Sequence, residues 1–214
     1  MLDTSFARPL GDAGNPASWP FAVMIEPVAG AFAEPVVTGR FADVQPFIEA
    51  GRSLVDRGAV ALATTCGFLV RHQRQLQNTF TVPVLTSTLI QFARLQATLN
   101  GWRVAILTID AAALDSAVRA AADIPDDALV FALARNSHFV SAILDGTVAL
   151  DIAQAETEWV NLALACRRQH PDIGLWLFEC ANMPPYAAAV VRATGLPVYD
   201  ALTLGCELHA KAIA

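Results

Sequence analysis

The sequence predicts an α/β protein built from two similar halves, each with a parallel sheet. Apolar segments of strand length alternate with segments of helical periodicity along the 214 residues, the pattern of parallel sheets with helical crossovers. A spacing also repeats, because Cys66 lies seventeen residues before Pro83 and Cys180 lies seventeen residues before Pro197. Each unit has the pattern of a buried strand, a cysteine, an amphipathic helix and a short strand. The repeat therefore places one thiol at the end of a strand in each half, where open α/β sheets bind their ligands.

The elements of the first half follow an irregular loop at 8–20. The glycine, asparagine and prolines of this loop are typical either of a loop that lines a site or of a surface excursion. Strands are predicted at 21–27, 59–64 and 82–85, and helices at 41–57, at 68–78 and in the segment that ends at Asn100. The continuous apolar run at 59–64 indicates a buried parallel strand that leads to Cys66.

The second half repeats the alternation of strands and helices. Strands are predicted at 103–108, 128–133, 173–178 and 197–199, and helices at 110–122, 151–168, 184–194 and 201–213. Ser137 and His138 follow the strand at 128–133 and could reach a cleft, although a loop histidine with satisfied hydrogen bonds is the more common case. Asp200 could line a pocket from the end of its strand, whereas Glu179 is interpreted as forming a local pair.

Composition argues against two classes of partner. The chain is 55% hydrophobic and 16% charged and has a net charge of −6, which does not suit nucleic acid or an anionic membrane surface. The longest uncharged, mostly apolar segment, 58–70, is too short to span a bilayer, and no basic region precedes an apolar one at the start. We therefore expect a cytoplasmic protein without a nucleic-acid or membrane partner.

The cysteines fall into two groups by their surroundings. No CxxC motif or Cys/His cluster is present, so free thiols are expected and no metal site is predicted. Cys166 and Cys206 lie inside predicted helices, where packing explains them. Cys66 and Cys180 instead lie at strand-to-helix junctions, where the helix N-terminus should favour the thiolate and lower the thiol pKa. Asn182 and Pro184 suit the first turn of the helix after Cys180.

Two opposed thiols suit a particular reaction. Inverting a stereocentre next to a carboxylate requires a base on one face of the carbon and an acid on the other, and a thiolate and a thiol can fill both roles. The sequence has no GxGxxG after a strand, which argues against hydride transfer with a dinucleotide, and no GxSxG, which argues against a hydrolase with a nucleophile elbow.

Several motifs together resemble the aspartate/glutamate racemase superfamily. They are TTCGF at 64–68, ECANMPPY at 179–186, the segments VPVLTS and TGLPVYDALTL, and the opening LDTSFARPLGDAGN. The resemblance covers essentially the whole chain. It implies two pseudo-symmetric, Rossmann-like or flavodoxin-like halves with the active site in the cleft between them. We expect the first half to comprise 1–86 and 201–214 and the second to comprise 87–200.

The resemblance also implies residue roles and a cofactor-independent reaction, with neither pyridoxal phosphate nor a metal. Cys66 and Cys180 match the two catalytic cysteines of the family. The positions that would contact a small carboxylic acid substrate are Asp3, Thr4, Thr65, Gly67, Thr86, Ser87, Ala181 and Asn182. A homodimer is the assembly that the resemblance suggests.

This sequence departs from the glutamate racemases beside both cysteines. Those enzymes have Thr and His after the second cysteine, where Ala181 and Asn182 stand here, and Asn and Thr after the first, where Gly67 and Phe68 stand. The loss of these polar groups predicts a less polar substrate than glutamate. Family members also usually carry a complete strand before the LDT segment, so either the first half is built differently here or the sequence starts late.

The sequence thus predicts a racemase or epimerase of an amino acid or related carboxylic acid, with Cys66 and Cys180 as opposed base and acid. Three alternatives stay open: an enzyme resembling maleate isomerase, one resembling arylmalonate decarboxylase, and a binding protein that keeps the fold without catalysis. Retention of both cysteines weighs against the decarboxylase, which needs only one.

Overall fold

Two parallel sheets organise the structure, a computed structural model that describes residues 1–41 and 43–213. The first sheet has two strands, β1 (Leu62–Ala63) and β2 (Val84–Leu85), which pair in parallel. The helices before residue 100 are α1 (Ala33–Val37), α2 (Gln45–Asp56), α3 (Gln73–Thr79) and α4 (Phe92–Ala97), and short 3-10 helices form in this part of the chain at Pro16–Ser18, Gly67–His72 and Thr88–Gln91. An α/β fold with parallel sheets is therefore confirmed.

The second sheet has four parallel strands in the order β4-β3-β5-β6. They are β3 (Arg103–Thr108), β4 (Leu129–Ala132), β5 (Ile173–Phe178) and β6 (Val198–Tyr199). Ala105 of β3 lies opposite Leu129 on one side and Trp176 on the other. The strand order reverses between β3 and β5, and a reversal of this kind opens a crevice at the carboxyl ends of the strands. Cys180 follows β5 at this crevice.

The remaining helices are α5 (Ser116–Ala121), α6 (His138–Ile143), α7 (Ile152–Gln169), α8 (Ala187–Thr194) and α9 (Ala201–Ala212), with a 3-10 helix at Pro184–Tyr186. The prediction for α5 was too long. Asp115 caps this helix by accepting hydrogen bonds from the N–H groups of Ala117 and Val118, so the helix begins after Asp115 and not at 110.

Helix α6 was not predicted from the sequence, which showed only a loop after β4. Ser137 caps it, and the Glu158 carboxylate of α7 accepts hydrogen bonds from the N–H groups of His138 and Phe139. A carboxylate at a helix N-terminus is stabilising, but this one comes from another helix. The signal for α6 therefore lies in tertiary contacts and not in the local sequence.

The predicted strand at 21–27 is wrong, because the segment forms no strand. A cavity of about 430 Å³ lies between residues 21–25 and the segment 58–65 that contains β1, so the two do not share hydrogen bonds. The first residues of the chain instead form hydrogen bonds with the backbone of residues 28–31. Val28 N–H donates to the carbonyl of Met1 at 2.9 Å, and Asp3 N–H donates to the carbonyl of Ala31 at 3.0 Å.

One continuous hydrophobic core runs through both sheets, and polar contacts also join the segments that follow β1 and β2 to the second sheet and its helices. The Thr88 hydroxyl donates to the carbonyl of Phe178 at 2.7 Å, and Arg71 forms an ion pair with Asp115 at 2.9 Å. Helix α8 ends as predicted at Gly195, whose φ of 69° is in the left-handed region. Within the described ranges, no helix has the length and apolar character needed to cross a membrane.

Candidate active site

Cys66 lies directly after the first sheet, at the start of the 3-10 helix Gly67–His72. The Thr64 hydroxyl contacts the carbonyls of Cys66 and Thr86, at 3.1 and 2.6 Å, and so ties the cysteine loop to the end of β2. The side chain is buried, with 5% of the residue exposed. The first predicted cysteine is therefore held firmly at the carboxyl end of a strand.

Cys180 occupies the matching position after β5 and is also buried, with 7% exposed. Its thiol donates to Oδ1 of Asn182 at 3.4 Å. Asn182 in turn donates from Nδ2 to Asp12 Oδ2 at 2.7 Å. Asn182 thus orients the second thiol and is itself oriented from the N-terminal loop.

Residues 8–15 of the loop at 8–20 contact the segment that follows Cys180, which favours a site-lining loop over a surface excursion. Asp12 is 1% exposed, and its Oδ1 accepts hydrogen bonds from Arg8 Nη1 at 2.8 Å and from Gly14 N–H at 2.7 Å. Arg8 Nη2 also donates to the hydroxyl of Thr4 at 2.8 Å. A buried chain of polar contacts therefore runs from Thr4 to Asn182 and the Cys180 thiol.

The loop is also fixed to the Cys180 segment through its backbone. Ala13 N–H donates to the carbonyl of Ala181 at 3.1 Å. Gly11 has a φ of 97° and packs so closely on Pro185 that a Cβ at position 11 would lie 3.0 Å from the Pro185 Cα atom. Sequence reasoning did not identify Arg8 or Asp12 as site residues, although the GDAGN segment was visible as an unusual loop.

The other predicted substrate-binding residues divide by their surroundings. Those that line the cavity are Thr65, Gly67, Thr86, Ser87 and Ala181, while the two cysteines do not line it. The Thr86 hydroxyl is occupied, since it donates to Gln73 Oε1 at 2.7 Å. Ser87 Oγ accepts from Leu89 N–H at 3.1 Å.

Three further candidates are engaged elsewhere in the fold. Asp3 accepts a hydrogen bond from Gly30 N–H at 2.9 Å, so its carboxylate helps to join the first residues of the chain to the segment at 28–31. Asp200 caps α9 by accepting from Thr203 N–H at 2.9 Å. His138 Nε2 accepts from Asp151 N–H at 2.7 Å, in line with a histidine whose hydrogen bonds are satisfied.

Glu179 is the site residue whose role the sequence did not indicate. Its side chain does not form a local pair, because Oε2 accepts a hydrogen bond from the Thr108 hydroxyl of β3 at 3.0 Å. The carboxyl group also rests on Gly67: a Cβ at position 67 would lie 2.9 Å from Glu179 Cδ. Glu179 is 2% exposed. Its carboxyl group therefore joins the loop of Cys180 to the loop of Cys66.

The pKa values of both thiols are raised, which corrects the expectation of a lowered thiol pKa at a helix N-terminus. Burial, followed by the negative charge of Glu179, raises the pKa of Cys66 to about 12 and that of Cys180 well above its ordinary value. The backbone N–H groups of Phe68 and Leu69 act in the predicted direction on Cys66, but burial outweighs them. Both thiols are therefore protonated at neutral pH in this structure.

Glu179 has the opposite property, since it can change its charge near neutral pH. Burial raises the pKa of its carboxyl group to about 7, although hydrogen bonds from Thr108 and from the backbone of Ile109 and Gly67 act to lower it. The nearby charge of Asp110 raises it further. A carboxyl group of this kind can either hold or release a proton during a reaction.

All four cysteines are free thiols, as predicted. Cys166 lies in α7 and Cys206 in α9, both away from the two cysteine loops. In the part of the chain that the structure describes, no three His, Cys, Asp or Glu side chains are grouped as a metal ion would require.

Two relatives found by sequence are named dimethylsulfoniopropionate lyases. One, from Durusdinium sp. clade D, is 27% identical over 210 residues, which cover 94% of this chain and 69% of the relative. Another, dimethylsulfoniopropionate lyase 3 from Emiliania huxleyi, is 28% identical over 214 residues, which cover 94% of this chain and 56% of the relative. The chain thus spans roughly half to two thirds of the length of these relatives. No protein-family model matches the chain.

Solved structures with the same fold come from several enzymes. A variant of arylmalonate decarboxylase superposes with a TM-score of 0.56 and 18% identity, covering 83% of this chain and 78% of that one. Allantoin racemase from Pseudomonas fluorescens superposes with a TM-score of 0.54 and 17% identity, covering 77% of this chain and 69% of that one. Glutamate racemase from Thermus thermophilus superposes with a TM-score of 0.52 and 19% identity, covering 86% of this chain and 65% of that one. The fold of the aspartate/glutamate racemase superfamily is therefore confirmed.

Proposed function

From a fold shared with the aspartate/glutamate racemase superfamily, we propose that this chain is a racemase or epimerase of a small carboxylic acid that needs no cofactor. The observation that carries the proposal is the placement of Cys66 and Cys180 after corresponding strands of the two halves, with their loops in contact through Gly67 and Glu179. Two opposed thiols can remove a proton from the carbon next to the carboxylate and return one to its other face.

The hydrogen bonds favour different resting roles for the two cysteines. The Cys180 thiol donates to Asn182, so it is held in the protonated form and is ready to act as the acid. Cys66 instead lies near two backbone N–H groups that stabilise a thiolate, those of Phe68 and Leu69, whereas Cys180 lies near one, that of Asn182. We therefore assign Cys66 as the first base. The hydroxyls of Thr65 and Ser87 would stabilise negative charge on the substrate carboxylate. The backbone N–H of Gly67 is already engaged by the Glu179 carboxyl group.

A lyase reaction is the second candidate, and the sequence relatives favour it. The relatives are named for dimethylsulfoniopropionate, a carboxylate that carries a sulfonium group on the second carbon from the carboxyl group. Removing the proton next to the carboxylate of such a compound allows the carbon–sulfur bond to break, with release of dimethyl sulfide and acrylate. This elimination begins with the same step as racemisation but does not need the second proton transfer.

Deuterium wash-in tests both candidates. The protein would be incubated in deuterated water with amino acids, hydantoins and dimethylsulfoniopropionate. Exchange at the carbon next to the carboxyl group, or next to the ring carbonyl of a hydantoin, would be followed by NMR, and dimethyl sulfide by gas chromatography. We expect wash-in for at least one acid, and we expect Cys66→Ala to lower it by about a hundredfold or more because the base is removed.

The second cysteine separates the two reactions. If Cys180→Ala abolishes inversion, the chain is a racemase, whereas dimethyl sulfide release that survives this substitution identifies a lyase. Cys166→Ala is the matched control, since this buried thiol lies in α7 outside the site. Wash-in that is unchanged in both Cys66→Ala and Cys180→Ala would contradict the two-thiol mechanism.

A further inference from the structure

We infer that Glu179 carries a proton between the two thiols, so that the site returns to its starting state through the protein and not through solvent. This inference rests on the proposed two-thiol reaction. It assigns a third acid–base residue to the site, at a position that the sequence indicated only as a local pair.

The position of the carboxyl group carries the inference. Glu179 directly precedes Cys180, and its carboxyl group packs against Gly67, which directly follows Cys66. Thr108 fixes Oε2 with a hydrogen bond of 3.0 Å, which leaves Oε1 as the oxygen nearest to Gly67. One buried group thus lies beside both cysteine loops, where a proton carrier would have to be.

The charges around Glu179 suit a group that exchanges protons. The titratable groups that surround it are Cys66 after β1, Asp110 after β3 and Cys180 after β5. Its negative charge raises the pKa of both thiols, so protonating Glu179 makes either thiolate easier to form. Its own pKa of about 7 allows both forms near neutral pH.

The proton transfers balance over one turnover. The site starts with two thiols and an ionised Glu179. The Cys66 thiol gives its proton to Glu179, and the resulting thiolate takes the proton from the substrate carbon. Cys180 then gives its proton to the other face of that carbon and becomes a thiolate. Glu179 returns its proton to Cys180, which restores two thiols and one carboxylate.

The first test is the turnover of Glu179→Gln, a substitution that keeps the shape and the hydrogen bond to Thr108 but cannot carry a proton. We expect kcat to fall by about a hundredfold with little change in KM. Glu207→Gln is the matched control, because this α9 carboxylate bonds Arg94 and Tyr199 and does not contact the loops of Cys66 and Cys180. A Glu179→Gln variant with the kcat of the wild type would overturn the inference.

The second test needs no substrate and so separates the relay from the proposed reaction. Alkylation of each cysteine by iodoacetamide at mildly alkaline pH would be followed by mass spectrometry in the wild type and in Glu179→Gln. We expect faster alkylation of Cys66 and Cys180 in the variant, by about tenfold for each unit by which the thiol pKa falls. Cys166 and Cys206 are internal controls for unfolding.

The outcomes of the two tests are distinct. If no acid shows wash-in but Glu179→Gln speeds alkylation at Cys66 and Cys180 alone, the proposed reaction fails while the coupling of Glu179 to the thiols stands. If alkylation at these two cysteines does not change, Glu179 is not coupled to them and the relay is excluded.

Discussion

Gly67 is the residue that lets the two cysteine loops meet. The Glu179 carboxyl group occupies the space where any side chain at position 67 would begin: a Cβ there would lie 2.7 Å from the carbonyl oxygen of Glu179 and 2.9 Å from Cδ. The repeat of spacing in the sequence was enough to single out Cys66 and Cys180. The contact between Gly67 and Glu179 could not be predicted, because it joins residues 112 positions apart in sequence and depends on how the two halves pack.

Gly67→Ala should therefore damage both stability and activity. We expect a loss of about 1–3 kcal/mol in the free energy of unfolding, because the added methyl group forces the Glu179 loop away. Wash-in should fall as well, since the carboxyl group would leave its place beside the Cys66 loop. Urea denaturation and the NMR assay measure the two effects.

Gly51→Ala in α2 is the control for this substitution. Its added Cβ would meet the ring of Phe80, away from both cysteine loops, so wash-in should match that of the wild type. Equal stability and activity of Gly67→Ala and the wild type would show that the carboxyl group does not need this close approach.

At the scale of elements, the loop at 8–15 behaves as part of the second cysteine site although it belongs to the start of the chain. Its ion pair between Arg8 and Asp12 is buried, with the Arg8 side chain 11% exposed and that of Asp12 1% exposed. Turn residues in the sequence indicated an irregular loop but not the surface it packs on. The strand predicted at 21–27 does not form for a related reason. Its apolar residues suit a strand, but the local sequence does not show whether a second strand lies beside it.

Asp12→Ala should be strongly destabilising. It leaves the Arg8 guanidinium buried without its partner and removes the acceptor of the Asn182 amide, so we expect a loss of about 3 kcal/mol or more in the free energy of unfolding. Glu26→Ala is the comparison, because its ion pair with Arg57 is largely exposed and should contribute less than about 1 kcal/mol. Equal losses of unfolding free energy in Asp12→Ala and Glu26→Ala, measured by urea denaturation, would contradict the stabilising role of the buried ion pair.

At the scale of the whole molecule, the sequence was sufficient to predict the two halves. The apolar runs of β3 and β5 and the alternation with helices such as α7 specify a parallel sheet in almost any context. The boundaries between the two halves, at 86/87 and 200/201, stay a prediction, because one hydrophobic core connects both sheets. What the local pattern does not contain is the placement of the ends of β1 and β5 relative to each other, which depends on how the two sheets pack in one core.

The stability of the whole fold should depend on pH through Glu179. Its folded pKa of about 7 lies above the ordinary value of 4.5, so between these values the folded state holds a proton that the unfolded state has released. This contribution to stability is present below about pH 4.5 and is lost as the pH rises through about 7.

The Glu179→Gln variant isolates this contribution, because groups away from Glu179 and the two nearby thiols titrate equally in both proteins. Relative to the variant, the wild type should gain on the order of 3 kcal/mol in the free energy of unfolding between about pH 8 and pH 5. Urea denaturation at several pH values measures the difference. A difference that does not change with pH would place the pKa of Glu179 near that of an exposed carboxyl group.

The burial and protonation of the two thiols also affect their sensitivity to oxidants. Peroxides attack the thiolate and need access to the sulfur, and the resting site offers neither at Cys66 or Cys180. Cys206, which is only partly buried in α9, is the more accessible thiol. The burial and protonation of these two sulfurs therefore also protect them from irreversible oxidation.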